Sequence, residues 1–188
     1  MKKSLLVLLL AGAVLVLFVQ INAFTQASSA GAFKVEVSFT YTKQSGTASN
    51  QFAVWIEDAQ GHYIKTLYAT RFTAAGGWQR RPFSLPQWVK QSNIAGMNKT
   101  QIDALTGPTP KAGDLRYVWD GTDSTGRTVS AGEYRVLVEA TLRNENQVIY
   151  TATVKLGEKG QTTARAQYAG SGTAERGMIG PVTVTISN

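Results

Sequence analysis

Cysteine is absent from the 188 residues, which excludes a disulfide framework, a thiolate metal site, a cysteine nucleophile and a lipid-modified cysteine anchor. Stability must therefore come from an apolar core, and 43% of the residues are apolar. Charge is sparse: 16% of residues are Asp, Glu, Lys or Arg, and one histidine, His62, stands in the whole chain. A catalytic triad or a histidine metal site has little to draw on. No Gly-x-Ser-x-Gly block, histidine cluster or phosphate loop is present, so no enzyme activity is expected. The formal charge is +7; setting aside Lys2 and Lys3, 17 basic side chains face 12 acidic ones. That excess reads as modest and spread along the chain, with Arg80-Arg81 the only later adjacent basic pair. Nucleic-acid binding is not expected without a basic stripe interleaved with aromatics.

What is present begins with Lys2 and Lys3 ahead of an uncharged apolar run from Leu5 to Val19, followed by small residues up to Ala30. This is the layout of a secretory signal peptide, with cleavage expected after Ala23, Ala27 or Ala30. An uncleaved anchor is the alternative, since a run extended to Ile21 approaches the roughly 20 residues that span a bilayer. Either way residues 31–188 are expected outside the cytoplasm, as one domain that meets the membrane only through an uncleaved leader.

From Phe33 to Thr42 apolar and polar residues alternate strictly, the signature of a half-buried strand. The pattern resumes from Gln51 to Glu57, turns at Asp58-Ala59-Gln60-Gly61, and returns from His62 to Ala69. Further strands are expected at Leu115 to Trp119, Glu133 to Leu142, Val148 to Leu156 and Pro181 to Ser187, with the Gly- and Thr-rich stretch from Gly157 to Gly177 as an irregular tail. Short strands punctuated by turns give an all-β, immunoglobulin-like antiparallel sandwich. One segment breaks the pattern. Residues Arg71 to Gly113 hold Gly76-Gly77, two tryptophans and four of the five prolines, and read as a long insertion. Ser84 as a cap and Pro86 in the first turn predict one short helix inside it. Trp55, Trp78, Trp88 and Trp119 are expected as buried or loop-anchoring aromatics, and His62 as an exposed strand residue.

Trp119-Asp120-Gly121-Thr122-Asp123 runs on to Gly126, and Ala131-Gly132-Glu133-Tyr134 then opens a strand. This block resembles the immunoglobulin-like module of flagellar hook-capping proteins. Its sense is structural: Trp119 closes a strand into the core while Asp120 and Asp123 brace the turn by side-chain to backbone bonds. A calcium loop would need a later glutamate that the spacing lacks. A wider set of blocks, Ala53 to Gly61, Lys65-Thr66-Leu67, Asp103 to Gly107, the Trp119 block and Tyr134 to Ala140, resembles the periplasmic domain of unknown function 2271 family. The likeness runs from about Phe52 to Leu156. It implies an extracytoplasmic protein that accompanies flavin-transfer and membrane electron-transfer components.

Asp103-Ala104-Leu105-Thr106-Gly107-Pro108-Thr109 is similar to the D-x-x-[ST]-G-A-T motif that FAD:protein FMN transferases modify. The resemblance implies covalent FMN on Thr109, with Asp103 as the recognition acid and Thr106-Gly107 as a turn exposing the backbone. Pro108 stands where the motif has alanine. The chain then has two readings: a non-enzymatic flavin-carrying accessory of electron transfer, partnered by the transferase and a membrane electron-transfer protein, or a cofactor-free immunoglobulin-like interaction module presenting its insertion to an envelope partner.

Overall fold

Alternation in the first strand translates directly into burial: β1 (Lys34–Tyr41) buries Val35, Val37, Phe39 and Tyr41 and turns Lys34, Glu36, Ser38 and Thr40 outward. In this computed structural model residues 33–46, 49–170 and 176–188 are described. The leader expected over residues 1–30 lies outside the described residues. No helix among the described residues is long and apolar enough to cross a membrane.

The other strands are β2 (Gln51–Asp58), β3 (Tyr63–Thr70), β4 (Thr106–Gly107), β5 (Gly113–Trp119), β6 (Gly132–Arg143), β7 (Asn146–Leu156), β8 (Gly160–Thr163), β9 (Arg165–Ala169) and β10 (Thr183–Ser187). They form a four-stranded sheet in the order β5-β1-β10-β8 and a six-stranded sheet in the order β4-β3-β2-β6-β7-β9. All pairings are antiparallel except β3 with the two-residue β4. The expected all-β sandwich is therefore present. Its core lies between the sheets, where Val35, Val37, Phe39 and Tyr41 meet Phe52, Val54, Ile56, Val136, Val138 and Ala140, with Trp119 closing one side.

The polar stretch after β7, read as an irregular tail, instead forms β8 and β9. The chain crosses from one sheet to the other at Ala164, whose N–H donates to Val182 O at 2.8 Å. Every residue of β8 and β9 is exposed; β8 has no apolar alternation, and that of β9, Ala166 and Tyr168 against Arg165 and Gln167, runs over only five residues, too few for periodicity to reveal it.

β2 shows what the insertion is for. All but its last residue are buried, on both faces: Phe52, Val54 and Ile56 enter the sandwich core, while Ala53 and Trp55 join Leu137 and Ile149 in a second core on the outer face. Leu85, Trp88 and Ile94 of the insertion seal it. Each large side chain so buried contributes about 1.5–3 kcal/mol, enough together to hold the segment down without regular sheet structure.

Where one helix was expected, the insertion holds three α-helical segments, α1 (Trp78–Arg80), α2 (Pro86–Ser92) and α3 (Lys99–Leu105), besides a π-helical turn at Thr73–Gly77 and a 3-10 turn at Ile94–Gly96. Helix α2 is the expected one, with Pro86 at its start, but Ser84 does not cap it. The residue before Pro86 is Leu85 in left-handed conformation, and it makes no side-chain cap bond to the helix. Ser84 Oγ instead lies 2.6 Å from Thr73 Oγ1 in a buried pair. Helix α3 starts with a capping box, Gln101 N–H donating to Asn98 Oδ1 and Asn98 N–H to Gln101 Oε1 at 3.0 and 2.9 Å.

Candidate functional site

The segment singled out in the sequence hangs from β3. Helix α3 carries Asp103, and its end runs straight into β4, where Thr106 and Gly107 pair in parallel with Ala69 and Thr70. Thr106 is extended, at φ −112° and ψ 151°, so Thr106-Gly107 is a short strand and not the expected turn. The Thr106 hydroxyl donates back to Ile102 O at 2.9 Å, tying helix to strand. Asp103 is engaged: Arg71 Nη2 stands 2.9 Å from one oxygen and Lys99 Nζ 3.5 Å from the other.

Tyr68 fixes the path of the chain at Gly107 and Pro108. A Cβ on Gly107 would stand 2.8 Å from Tyr68 Cε2, so the tyrosine ring occupies the place of a side chain there. The Tyr68 hydroxyl donates to Pro108 O at 2.7 Å. Burial first, and then the Tyr41 hydroxyl, push Tyr68 up to about 12, which keeps it a donor at any ordinary pH. Its ring packs on Tyr117 and Phe52 at centroid distances of 5.0 and 5.1 Å. The 107–108 backbone thus rests on a rigid aromatic base continuous with the sandwich core.

Beyond that base, Thr109 is exposed between Pro108 and Pro110. Among the described residues nothing hydrogen-bonds its hydroxyl. Proline on one side removes a backbone donor and on the other biases Thr109 to extended conformation. The result is an accessible hydroxyl on proline-flanked backbone, with no hydrogen-bonded base among the described residues. A phosphoester-linked group needs an open hydroxyl on uncluttered chain, and Thr109 meets that requirement.

The Trp119 block is structural, as its residues imply. The fully buried Trp119 donates Nε1–H to Thr122 O at 2.7 Å, and its ring meets Tyr134 edge-on at 4.9 Å. Asp120 accepts from the Thr122 hydroxyl, its N–H and Lys65; Asp123 accepts from Thr125 and Arg127. The Thr125 hydroxyl, with the Arg127 and Thr125 N–H groups, lowers Asp123 to about 2. His62 is exposed and sits 2.8 Å from Asp58, just ahead of β3 rather than within it. Trp55, Trp88 and Trp119 are buried and Trp78 is half-buried.

Two residues that sequence patterns do not single out matter here. Tyr68 is, in sequence, one apolar position in a strand, with nothing to tie it to a segment 40 residues on. Glu139 sits on β6 facing away from the sandwich core, an ordinary place for a charge, yet it is fully buried. Its only sequence signal is that the outward face of β2 is apolar at Ala53 and Trp55, so something must cover that face.

A family model described as "Predicted periplasmic protein (DUF2271)" matches residues 32–175. No curated protein and no solved structure matches the chain.

Proposed function

The chain belongs to the DUF2271 family of predicted periplasmic proteins and works outside the cytoplasm, and from that premise we propose that it is a non-enzymatic carrier of covalent FMN in extracytoplasmic electron transfer. The observation that supports this reading is the Thr109 hydroxyl, exposed and unpartnered among the described residues on a proline-flanked segment seated on Tyr68. Bound FMN supplies one- and two-electron chemistry; the chain supplies the attachment point and a rigid mount. In the attachment, the Thr109 oxygen forms the phosphoester and displaces AMP from FAD. Its proton leaves to a base on the transferase, because among the described residues no acid or histidine bonds the hydroxyl.

The second reading, a cofactor-free interaction module, draws on Asp103. Both carboxylate oxygens face cations of the chain itself, which leaves the proposed recognition acid less free for a transferase.

Co-expression with an FAD:protein FMN transferase separates the two. A band that keeps flavin fluorescence through denaturing electrophoresis, with the FMN mass mapped to Thr109, is the expected outcome. An unlabelled protein, under conditions that label a known substrate, leaves the interaction module. The same intact mass reports whether the leader has been removed.

A further inference from the structure

The basic excess that reads as spread along the sequence is gathered in one place. Between Arg71 and Gly113 stand six basic residues against a single acid, Asp103, while the rest of the chain after residue 30 carries eleven of each. Within the insertion the fold gathers them further. The guanidinium groups of Arg80 and Arg81 lie 5.6 and 5.0 Å from the centroid of the Phe72 ring. Arg71 is the residue before Phe72 in the chain, and it shares Asp103 with Lys99. Two pairs of cations, Arg80 and Arg81 on Phe72 and Arg71 and Lys99 on Asp103, thus meet at neighbouring residues 71 and 72, and the second pair borders the Thr106–Thr109 segment.

Arg80 and Arg81 are exposed, and among the described residues no carboxylate pairs with either. Phe72 beneath them is half-buried, as are Trp78 and Phe83 nearby in the chain. Such a patch offers charge at its surface with aromatic faces just beneath, the combination that sits at headgroup level on a bilayer. For an exported domain the concentrated anionic surface at hand is the lipid headgroup layer, not nucleic acid.

We propose that Arg80 and Arg81 on Phe72, together with Arg71 and Lys99 beside Asp103, dock the exported domain on an anionic phospholipid surface. The attraction is electrostatic, so it is reversible and fades with salt. It adds a route to the membrane besides the leader, and it stands whether or not Thr109 carries flavin. A domain held this way keeps the 106–109 segment close to the bilayer, where a membrane partner would reach it.

The test is co-sedimentation of protein from the periplasmic fraction with vesicles of phosphatidylglycerol and phosphatidylcholine in equal parts, against pure phosphatidylcholine. Binding is expected to be at least about ten-fold tighter to the anionic vesicles and to be lost in high salt. Arg80→Glu/Arg81→Glu removes the preference, whereas Arg116→Glu/Arg165→Glu, an equal change of net charge on exposed strand residues elsewhere, leaves it in place. Asp103→Ala, which deletes the only acid in the cluster, tightens binding without introducing a charge. Intact mass first establishes that the leader has been removed, because a retained leader would bind both vesicles and mask the preference. Equal binding to the two vesicles overturns the proposal, and so does equal loss in both double variants. Binding of soluble polyglutamate with no vesicle binding overturns it in favour of an acidic protein partner.

Discussion

Glu139 on β6 accepts the backbone N–H of Trp88 at 2.7 Å and that of Gln87 at 3.2 Å, so one buried carboxylate fastens the start of α2 to the sheet. Burial pushes its acid up from the usual 4.5 to about 7 against the pull of those two donors. In the unfolded chain the proton leaves near 4.5; in the fold it stays until near 7. This group's contribution is therefore complete below pH 4.5 and is lost as pH rises through 7, on the order of 3 kcal/mol in all. Glu139→Gln keeps an acceptor and removes the titration. Urea midpoints of the variant are expected to vary less between about pH 4.5 and 7.5 than those of the parent. A parent profile as flat as the variant's would mean that the carboxylate is ionised throughout.

Trp119 touches the core through its ring and the turn through its Nε1–H. Trp119→Ala leaves a cavity beside Tyr134 and orphans the Thr122 carbonyl, so a loss of about 3–5 kcal/mol is expected. Urea unfolding reads it. A loss under about 1 kcal/mol would place the indole outside the packed core.

The sandwich was legible because its core-facing residues recur with a period of two. Val35, Val37 and Phe39 alternate with Lys34, Glu36 and Ser38, and Tyr134, Val136 and Val138 with Glu133 and Arg135; that period does not show that β2 and β6 are covered on their outer face as well. The insertion was legible as an interruption and not as a structure. Its helices are too short for periodicity to declare them, and their anchors are distant: Leu85 N–H bonds the Thr141 hydroxyl, and Phe83 O accepts from Thr141 and Gln147. The capping signal of α3, Asn98 and Gln101 three residues apart, was there to be read. At the candidate site, the exposed Thr109 followed from its prolines, whereas the strand geometry of Thr106-Gly107 depends on a β3 partner that no local pattern names.

Gly107 and Tyr68 form a close approach that can be broken deliberately. Gly107→Ala drives a methyl to within 2.8 Å of Tyr68 Cε2, and because that ring is packed on Tyr117 and Phe52 it cannot yield freely. A cost of about 1–3 kcal/mol is expected. Tyr68→Phe keeps the ring and removes the hydroxyl's bond to Pro108 O and its longer contact with Gly107 O, at about 0.5–1.5 kcal/mol. Thermal unfolding should rank Gly107→Ala below Tyr68→Phe, and Tyr68→Phe below the parent. The reverse order would mean that the hydroxyl, not ring contact, holds the segment.

Thr109 and Asp103 separate attachment from docking. Thr109→Ala takes away an exposed hydroxyl with no partner among the described residues, so stability should stay within about 0.5 kcal/mol of the parent. With the transferase present, flavin fluorescence should vanish, since alanine offers no oxygen to the phosphate. Thr106→Ala loses the bond to Ile102 O but leaves the acceptor in place, so labelling should weaken and persist. Asp103→Ala reduces labelling through the loss of the recognition acid. The same change frees Arg71 and Lys99 from their shared carboxylate and raises the net charge of the cluster by one. Vesicle binding should therefore rise in the variant whose labelling falls, while Thr109→Ala leaves vesicle binding unchanged. Measured on the same preparations by in-gel fluorescence and co-sedimentation, opposite movement in Asp103→Ala is the outcome that assigns the two activities to neighbouring but distinct parts of the insertion. A joint fall in both would instead mean that Asp103 holds α3 in place for each.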